Sequence, residues 1–214
     1  MKKAIIFDYD QVIVNSYIDH LAAFSWVAKK FGIKLNPKIL YKKFGRSAKN
    51  ILEELVPEMS EMQIKKFVEE KDKFYHKIAI KRGIHLMRGV REILQFLNDK
   101  KIKCAIASSA SRSNLLLGLQ KTKIRKYFSA IVAAEDVKHH KPHPEPLLKA
   151  AKLLKVKPKD CIYIGDSIYE MIAARRAKIF AVGITTGIYS KKQLYAKGAD
   201  EVVENILELK KFLK

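Results

Sequence analysis

The chain of 214 residues contains only two cysteines, Cys104 and Cys161, and no apolar run long enough to cross a membrane. The cysteines have no metal-type spacing, and both lie in apolar stretches, "IKCAIAS" and "DCIYIG". We therefore expect buried free thiols in a reducing compartment. A disulfide between the two cysteines is the alternative if the organism is a hyperthermophile. Since no membrane-spanning run is present, no membrane association is expected.

Acidic residues are scarce as well: 22 stand against 43 basic residues, which gives a net charge of +21. Such a charge attracts nucleic acids and small anionic substrates. The lysines, however, are scattered in pairs, and no basic block with interleaved aromatic residues is present. We expect a solvated lysine-rich surface and no specific nucleic-acid partner, with a basic binding module as the non-enzymatic alternative.

The first ten residues, "MKKAIIFDYD", begin like a signal peptide, with lysines followed by apolar residues. Asp8 interrupts the apolar stretch, and no cleavage site of small residues follows it. We interpret residues 3–7 as a buried strand and expect a cytoplasmic protein.

The pattern of apolar residues divides the chain into two kinds of segment. Residues 17–80 show only helical periodicity, with Asn36, Ser47 and Ser60 as expected N-caps. After Gly83, apolar strands alternate with helices, a pattern typical of a parallel sheet that is covered on both faces. The sequence thus predicts an α/β fold with a helical insertion after the first strand.

Polar residues follow four of the predicted strands, at the point where each strand ends. They are Asp8 and Asp10 after the first strand, Ser108 and Ser109 after "KIKCAIA", Glu135, Asp136 and then Lys141 after "SAIVAA", and Asp166, Ser167 and, one helical turn later, Glu170 after "DCIYIG". Ligands of open parallel sheets bind beyond the carboxyl ends of the strands. We therefore expect these groups to meet at one site.

Carboxylate oxygens are the ligands that Mg²⁺ prefers, so Asp8, Asp10 and Asp166 are candidate metal ligands. Asp8 beside such an ion can attack phosphorus, and Asp10 can act as general acid and base. Ser108 and Lys141 can stabilise phosphoryl oxygens. Each residue alone has a plainer explanation, such as a solvated loop, a helix cap or a surface lysine, but the four groups in order favour a site.

The same residues resemble the motifs of a known family. "DYDQV" at residues 8–12, "CAIAS" ending at Ser108, "KPHPEP" beginning at Lys141 and "GDSIYE" with Asp166 resemble haloacid dehalogenase-like hydrolases of the phosphoglycolate phosphatase and β-phosphoglucomutase subgroup. The resemblance implies a Rossmann-like core of residues 1–15 and 83–214 and an all-helical cap of residues 16–82. It also implies Mg²⁺ as cofactor and an aspartyl-phosphate intermediate on Asp8.

Three positions depart from the family pattern. Gln11 stands where glycine is usual, Glu170 where a second aspartate is usual, and Asn15 where an aspartate is usual. We expect the backbone N–H of Gln11 to contact phosphate together with Ser108, Ser109 and Lys141, while its long side chain narrows the pocket. We expect Glu170 to reach the metal through water.

Two residues of the helical segment are candidates for substrate recognition. Arg46, between two predicted helices, can bind a remote anionic group, because arginine pairs with carboxylate or phosphate in a bidentate fashion. The alternative is a surface arginine at a helix junction. His20 resembles a substrate-side histidine of β-phosphoglucomutase, and the alternative is a partly exposed hinge residue.

These expectations combine into a Mg²⁺-dependent phosphatase that acts on a small phosphorylated metabolite, with phosphoglycolate favoured. The alternative enzyme is a sugar-phosphate phosphomutase of the β-phosphoglucomutase type. We expect a monomer or homodimer.

Overall fold

The computed structural model describes residues 2–213, and a parallel sheet of six strands lies at its centre. The strands are β1 (Ala4–Phe7), β2 (Lys103–Ala107), β3 (Ala130–Val132), β4 (Cys161–Gly165), β5 (Phe180–Ile184) and β6 (Glu201–Val203). Their order in the sheet is β3-β2-β1-β4-β5-β6, and every neighbouring pair is parallel. Strands β2 and β3 therefore lie on one side of β1, and β4, β5 and β6 lie on the other side. Because the strand order reverses at β1, a ligand crevice is expected at the carboxyl end of that strand.

Nine α-helices accompany the sheet in residues 2–213. They are α1 (Tyr17–Lys30), α2 (Pro37–Tyr41), α3 (Ala48–Leu55), α4 (Glu61–Arg82), α5 (Val90–Asp99), α6 (Arg112–Lys121), α7 (Glu145–Leu154), α8 (Ile168–Arg176) and α9 (Lys191–Ala196). No helix of this part of the chain is long and apolar enough to span a membrane.

The core lies on both faces of the sheet. Successive side chains of β1 enter different apolar clusters, with Ile5 and Phe7 on one face and Ala4 and Ile6 on the other, and all four are fully buried. A central strand that is buried on both faces reads as a continuous apolar run. The predicted α/β fold with a parallel sheet is confirmed.

Helices α1–α4, residues 17–82, form a separate apolar cluster and are called the insertion below. Their buried side chains include Phe24, Leu40, Leu52 and Phe67. The three expected N-caps are confirmed: Asn36, Ser47 and Ser60 each accept a backbone N–H at the start of α2, α3 and α4.

The two chain segments that join the insertion to the sheet lie side by side. The N–H of Asn15 donates to the carbonyl of His85 at 3.0 Å, and the N–H of Met87 donates to the carbonyl of Ile13 at 2.9 Å. The predicted division at residues 15/16 and 82/83 falls beside this paired segment. Whether the two parts behave as separate domains stays a prediction.

Two predicted elements differ from the structure. The strand expected in "SAIVAA" is only three residues long, because the carboxylate of Asp136 accepts the N–H of Ala133 at 2.8 Å and a 3₁₀ turn follows. The helix expected near the C-terminus is a 3₁₀ helix at Ile206–Phe212. Ile206, Leu209 and Phe212 contact the core at a spacing of three, which matches the three residues per turn of that helix.

Four lysines take the place of glycine at helix ends around the sheet. Lys101, Lys123, Lys155 and Lys178 follow α5, α6, α7 and α8 with φ between 55° and 58°. This left-handed conformation is unfavourable for residues with a Cβ atom, and glycine usually occupies it. The backbone conformation of each of these lysines therefore lowers the stability of the fold slightly.

Candidate active site

A cavity of about 360 Å³ lies at the carboxyl edge of the sheet, between the sheet and the insertion. Residues from both parts line it. From the sheet side come Asp8, Asp10, Ser108, Ser109 and Lys141, and from the insertion come Tyr17, His20, Arg46 and Lys71. Asp8, Asp10, Ser108, Ser109 and Lys141 thus meet at one place, and Asp166 and Glu170 adjoin them through the contacts described next. Asp136, also expected there, does not line the cavity and pairs with Arg112 instead.

Lys141 is the fully buried centre of the polar contacts. Its Nζ donates to Asp8 Oδ1 at 2.7 Å, to Glu170 Oε1 at 2.6 Å and to the hydroxyl of Tyr163 at 3.2 Å. Burial opposes the charge of Lys141, but Asp8 and Glu170 outweigh it and hold the lysine pKa above its ordinary value. Lys141 is therefore a permanent buried cation and not a surface lysine.

Asp8, Asp166 and Glu170 form what we call the acidic cluster: one carboxylate oxygen of each lies within 4.8 Å of the others, and all three side chains are buried. Burial raises the pKa of both Asp8 and Asp166 well above the usual range, and the charge of Glu170 raises them further. Three carboxylates face one ammonium group, which leaves an excess of negative charge in a buried place.

The acidic cluster fits a hard divalent cation. Its donors are all oxygens, which Mg²⁺ prefers, and a cation would offset the repulsion among them. In addition, Asp166 Oδ1 is buried and has no hydrogen-bond partner in residues 2–213. A buried carboxylate oxygen without a partner is costly unless a ligand satisfies it.

The cluster differs from the expected set of metal ligands. Glu170 belongs to the cluster, but its two carboxylate oxygens already accept hydrogen bonds, Oε1 from Lys141 and Oε2 from the N–H of Ser167, so its water-mediated contact with the metal stays a prediction. The carboxylate of Asp10, expected beside Asp8, instead accepts a hydrogen bond from Ser16 at 2.5 Å and lies 3.2 Å from Nε2 of His20. Asp8 and Asp10 still line the same cavity, so a contact between Asp10 and the metal stays a prediction.

These contacts also set the charge of Asp10. Burial raises the pKa of its carboxyl group, but His20 and Ser16 together outweigh that effect, and the pKa lies below its ordinary value. The His20 ring stacks on Tyr75 with 4.1 Å between ring centroids and is buried, so it is not a partly exposed hinge residue.

Gln11 does not offer phosphate the donor that we expected. Its backbone N–H donates to the carbonyl of Val14 at 2.7 Å, inside the turn that follows β1. The residue has φ of 59°, a left-handed conformation that explains why glycine suits this position. Its side chain reaches Asn15 Oδ1 at 3.4 Å and does not line the cavity, so it does not narrow the pocket as expected.

Ser108 and Ser109 both lie on the cavity wall. The Ser108 hydroxyl oxygen accepts the N–H of Ala110 at 3.1 Å, which leaves its proton free to donate. Ser108 does not cap the next helix, because Ser111 is the N-cap of α6. Ser109 donates to the carbonyl of Gly45 at 3.3 Å and so links the sheet to the insertion.

Arg46 lies on the cavity wall, but its guanidinium group already has partners. It pairs with Glu54, donates to the carbonyl of Asn50 at 3.2 Å and lies 5.5 Å above the ring of Tyr169. In this arrangement its charge is balanced by Glu54 and is not free for a substrate.

Sequence reasoning missed two residues that reach the site from the insertion. Lys71, in the middle of α4, is only 5 % exposed, lines the cavity and pairs with Asp72 at 2.7 Å. Lys71 lies on the apolar face of α4 that begins with Ile64 and Phe67. A lysine at an apolar position was the feature of the sequence that could have indicated a buried functional residue. Tyr17 donates to Asp166 Oδ2 at 2.6 Å, and no pattern in the sequence indicated this contact.

Comparison with known proteins decides the family. A family model described as haloacid dehalogenase-like hydrolase matches residues 5–184. The chain belongs to this family. A putative pyrophosphatase PpaX of Caldanaerobacter subterraneus subsp. tengcongensis is 28% identical, over 99% of this chain and 94% of that protein. The resemblance inferred from the four motifs is therefore confirmed.

Solved structures agree over the whole chain. A hydrolase from Pseudomonas syringae has a TM-score of 0.90 and 29% identity, covering 100% of this chain and 98% of that one. A β-phosphoglucomutase from Clostridium difficile has a TM-score of 0.87 and 28% identity, covering 100% and 96%. The predictions of a phosphatase of this haloacid dehalogenase-like family and of its α/β fold are confirmed.

Proposed function

We propose that this haloacid dehalogenase-like protein is a magnesium-dependent phosphatase that hydrolyses a small anionic phosphorylated metabolite through a phosphoryl group carried on Asp8. Phosphoglycolate is the favoured substrate. The observation that carries the proposal is the buried acidic cluster with Lys141, which opens into a cavity at the carboxyl edge of the sheet. A structural role alone does not account for burying three carboxylates around one ammonium group.

The metal would be held by Asp8 and Asp166, with Glu170 beside them. When bound, the ion neutralises charge on the phosphate oxygens and on the cluster. Lys141 fixes the Asp8 carboxylate through Oδ1 and places a positive charge where phosphoryl charge spreads during transfer. Ser108 can donate its hydroxyl proton to a phosphate oxygen.

The proposed reaction has two steps. In the first, an oxygen of Asp8 bonds to phosphorus, the bond from phosphorus to the ester oxygen breaks, and Asp10 gives a proton to the leaving oxygen. In the second, Asp10 takes a proton from water, which attacks the same phosphorus and releases phosphate and the Asp8 carboxylate.

Asp10 must carry a proton for the first step, although its pKa is lowered by His20 and Ser16 in this substrate-free arrangement. A phosphate dianion that enters the cavity adds negative charge nearby and so raises the Asp10 pKa. We infer that the substrate itself prepares the acid, and that Ser16 and His20 hold Asp10 in place until then.

Residues 16–82 act in this proposal as a cap that closes the cavity and excludes water during transfer. Lys71 supplies a cation from the cap, and its partner Asp72 accepts a hydrogen bond from Asn114 of α6 at 2.9 Å. A second anionic group on the substrate would compete with Asp72 for this cation. Pyrophosphate has such a group, and the similarity to a putative pyrophosphatase along almost the full chain supports testing it.

A phosphomutase is the second candidate. The 28% identity to a β-phosphoglucomutase favours it. The contact between Asp10 and His20 favours it as well, because His20 resembles a substrate-side histidine of that enzyme. In that reaction the phosphoryl group on Asp8 would have to survive until a second sugar hydroxyl accepts it.

Phosphate release from a substrate panel tests the proposal. The panel contains phosphoglycolate, pyrophosphate, p-nitrophenyl phosphate and β-glucose 1-phosphate, each with Mg²⁺ and with EDTA, and Asp8→Asn serves as the control for contaminating phosphatases. We expect Mg²⁺-dependent release that is absent in the variant. Isomerisation of the sugar phosphate only with a bisphosphate activator would favour the phosphomutase. Activity that is unchanged in EDTA or in Asp8→Asn would contradict the proposal.

We also propose a cytoplasmic location and a monomer or homodimer. The buried free thiols Cys104 and Cys161 support a reducing compartment. A basic binding module would instead show strongly salt-dependent retention of DNA or RNA that persists in Asp8→Asn.

A further inference from the structure

One hydrogen bond connects the insertion directly to the acidic cluster. The hydroxyl of Tyr17, the first residue of α1, donates to Asp166 Oδ2 at 2.6 Å. Both side chains are buried, and the two residues are 149 positions apart in the chain. A contact of this kind exists only while the start of the insertion lies against the carboxyl end of β4.

The two oxygens of Asp166 have different surroundings. Oδ2 accepts the Tyr17 hydroxyl and lies against Gly187, where an added Cβ atom would come within 1.9 Å of it. Oδ1 is buried and has no partner among the described residues 2–213. The Oδ2 side is therefore closed by protein, and Oδ1 is the oxygen left for a ligand.

Tyr17 is held in turn by aromatic rings of the insertion. Its ring meets that of Phe44 edge-on with 5.0 Å between centroids, and that of Tyr41 edge-on at 5.7 Å. Edge-to-face pairs at these distances fix ring orientation. The position of the Tyr17 hydroxyl thus depends on the packing of α1 against the segment around α2.

We propose that Tyr17 is a positioning residue for metal binding: its hydroxyl holds Asp166 Oδ2 so that Oδ1 faces the ion, and the affinity for Mg²⁺ thereby depends on the placement of the insertion. This inference rests on the proposed function in one respect, that Asp166 is a metal ligand. Hydrogen-bond partners of metal ligands fix the orientation of those ligands, and their loss typically weakens metal binding 10- to 100-fold.

The test measures Mg²⁺ binding by calorimetry on the full chain without substrate. Tyr17→Phe removes the hydroxyl and keeps the ring, so we expect the dissociation constant to rise about 10-fold. Tyr41→Phe is the matched control, because it makes the same chemical change in the same aromatic group on a residue that is 37% exposed. We expect its affinity to equal that of the wild type.

Thermal unfolding in EDTA checks that each variant is folded. Activity gives a second readout: at saturating Mg²⁺ the turnover of Tyr17→Phe should recover most of the wild-type value, whereas a general packing defect would not respond to added metal. Wild-type affinity in Tyr17→Phe, or equal weakening in both tyrosine variants, would overturn the inference.

Asp166→Asn separates this inference from the proposed function. If Asp166→Asn loses Mg²⁺ binding and Tyr17→Phe does not weaken it, the role of Tyr17 alone is wrong. If Asp166→Asn binds Mg²⁺ like the wild type, the metal site lies elsewhere and the proposed function fails with it.

Discussion

Replacing Asp166 with asparagine is expected to stabilise the metal-free protein while it abolishes Mg²⁺ binding. Asp166 lies within 4.8 Å of both Asp8 and Glu170 at their nearest clustered oxygens. For two full charges, each like-charge pair within that distance costs at least about 3.5 kcal/mol at an effective dielectric constant of 20. The attraction of Lys141 for Asp166 is weaker than the repulsion from either Asp8 or Glu170, so Asp166 carries a net electrostatic cost that asparagine removes.

Proton uptake limits that cost, since a carboxyl group with a raised pKa can bind a proton when repulsion grows. We therefore expect a gain of about 2 kcal/mol, which for a chain of this size corresponds to about 4–8 °C in melting temperature. The asparagine side chain can still accept the Tyr17 hydroxyl, so the substitution changes the charge and little else.

The sign of the pH dependence follows from the raised pKa of Asp166. A group whose folded pKa is raised contributes stability that is fully present below its unfolded pKa, about 3.9 for aspartate, and that is lost as pH rises through the folded pKa. In EDTA, the advantage of Asp166→Asn should be small near pH 4.5 and largest near pH 8.

Thermal unfolding at both pH values, once in EDTA and once with saturating Mg²⁺, measures this difference in stability. Saturating the wild type at 100 times the dissociation constant should add about 2.7 kcal/mol, and the variant should gain nothing. Asp160→Asn is the matched control, because it makes the same change at the other end of β4. A variant that is less stable than the wild type in EDTA, or a gain independent of pH, would refute the reasoning.

Four further predictions concern single residues. Asp8→Asn should fold and lose all turnover, and any Mg²⁺-dependent phosphate release from it would contradict the assigned nucleophile. Burial raises the pKa of Cys104 to about 12 and of Cys161 to about 11, so neither thiol should react with a disulfide reagent at pH 8 until the protein unfolds; rapid reaction of the native protein would be inconsistent with their burial. Lys155→Gly should raise the stability by about 0.5–1 kcal/mol in denaturant unfolding, since glycine adopts φ of 55° without strain, and a loss would show that the lysine side chain matters more. Arg46→Ala should change KM for acidic and neutral substrates equally, because Glu54 already balances the arginine charge, and a KM that rises only for acidic substrates would show that Arg46 binds them.

The fold was predictable because each strand and helix is encoded locally. Apolar runs such as "AIIF" and "CIYIG" are fully buried strands in the structure, and the polar residues that follow them gather at one edge because parallel strands end on the same side. Lys141 and Asp166 could be placed at the site for this reason alone.

The missed features depend on contacts between distant parts of the chain. Tyr17 reaches Asp166 only because the insertion folds back over the sheet, and nothing in the residues around Tyr17 indicates that. The partners of the Asp10 carboxylate were not predictable from strand period, because Ser16 and His20 lie beyond the turn that follows β1. Local sequence thus predicts which groups approach the site, whereas tertiary packing decides where each side chain points.

A crystal structure of the protein with Mg²⁺ and beryllofluoride, a mimic of a phosphoryl group, tests the central claim most directly. We predict that beryllium is bonded to a carboxylate oxygen of Asp8, with Lys141 beside the fluorides, and that the ion is bound by Asp8 and Asp166. An ion bound elsewhere, or an Asp8 carboxylate too distant to bond the mimic, would contradict the claim.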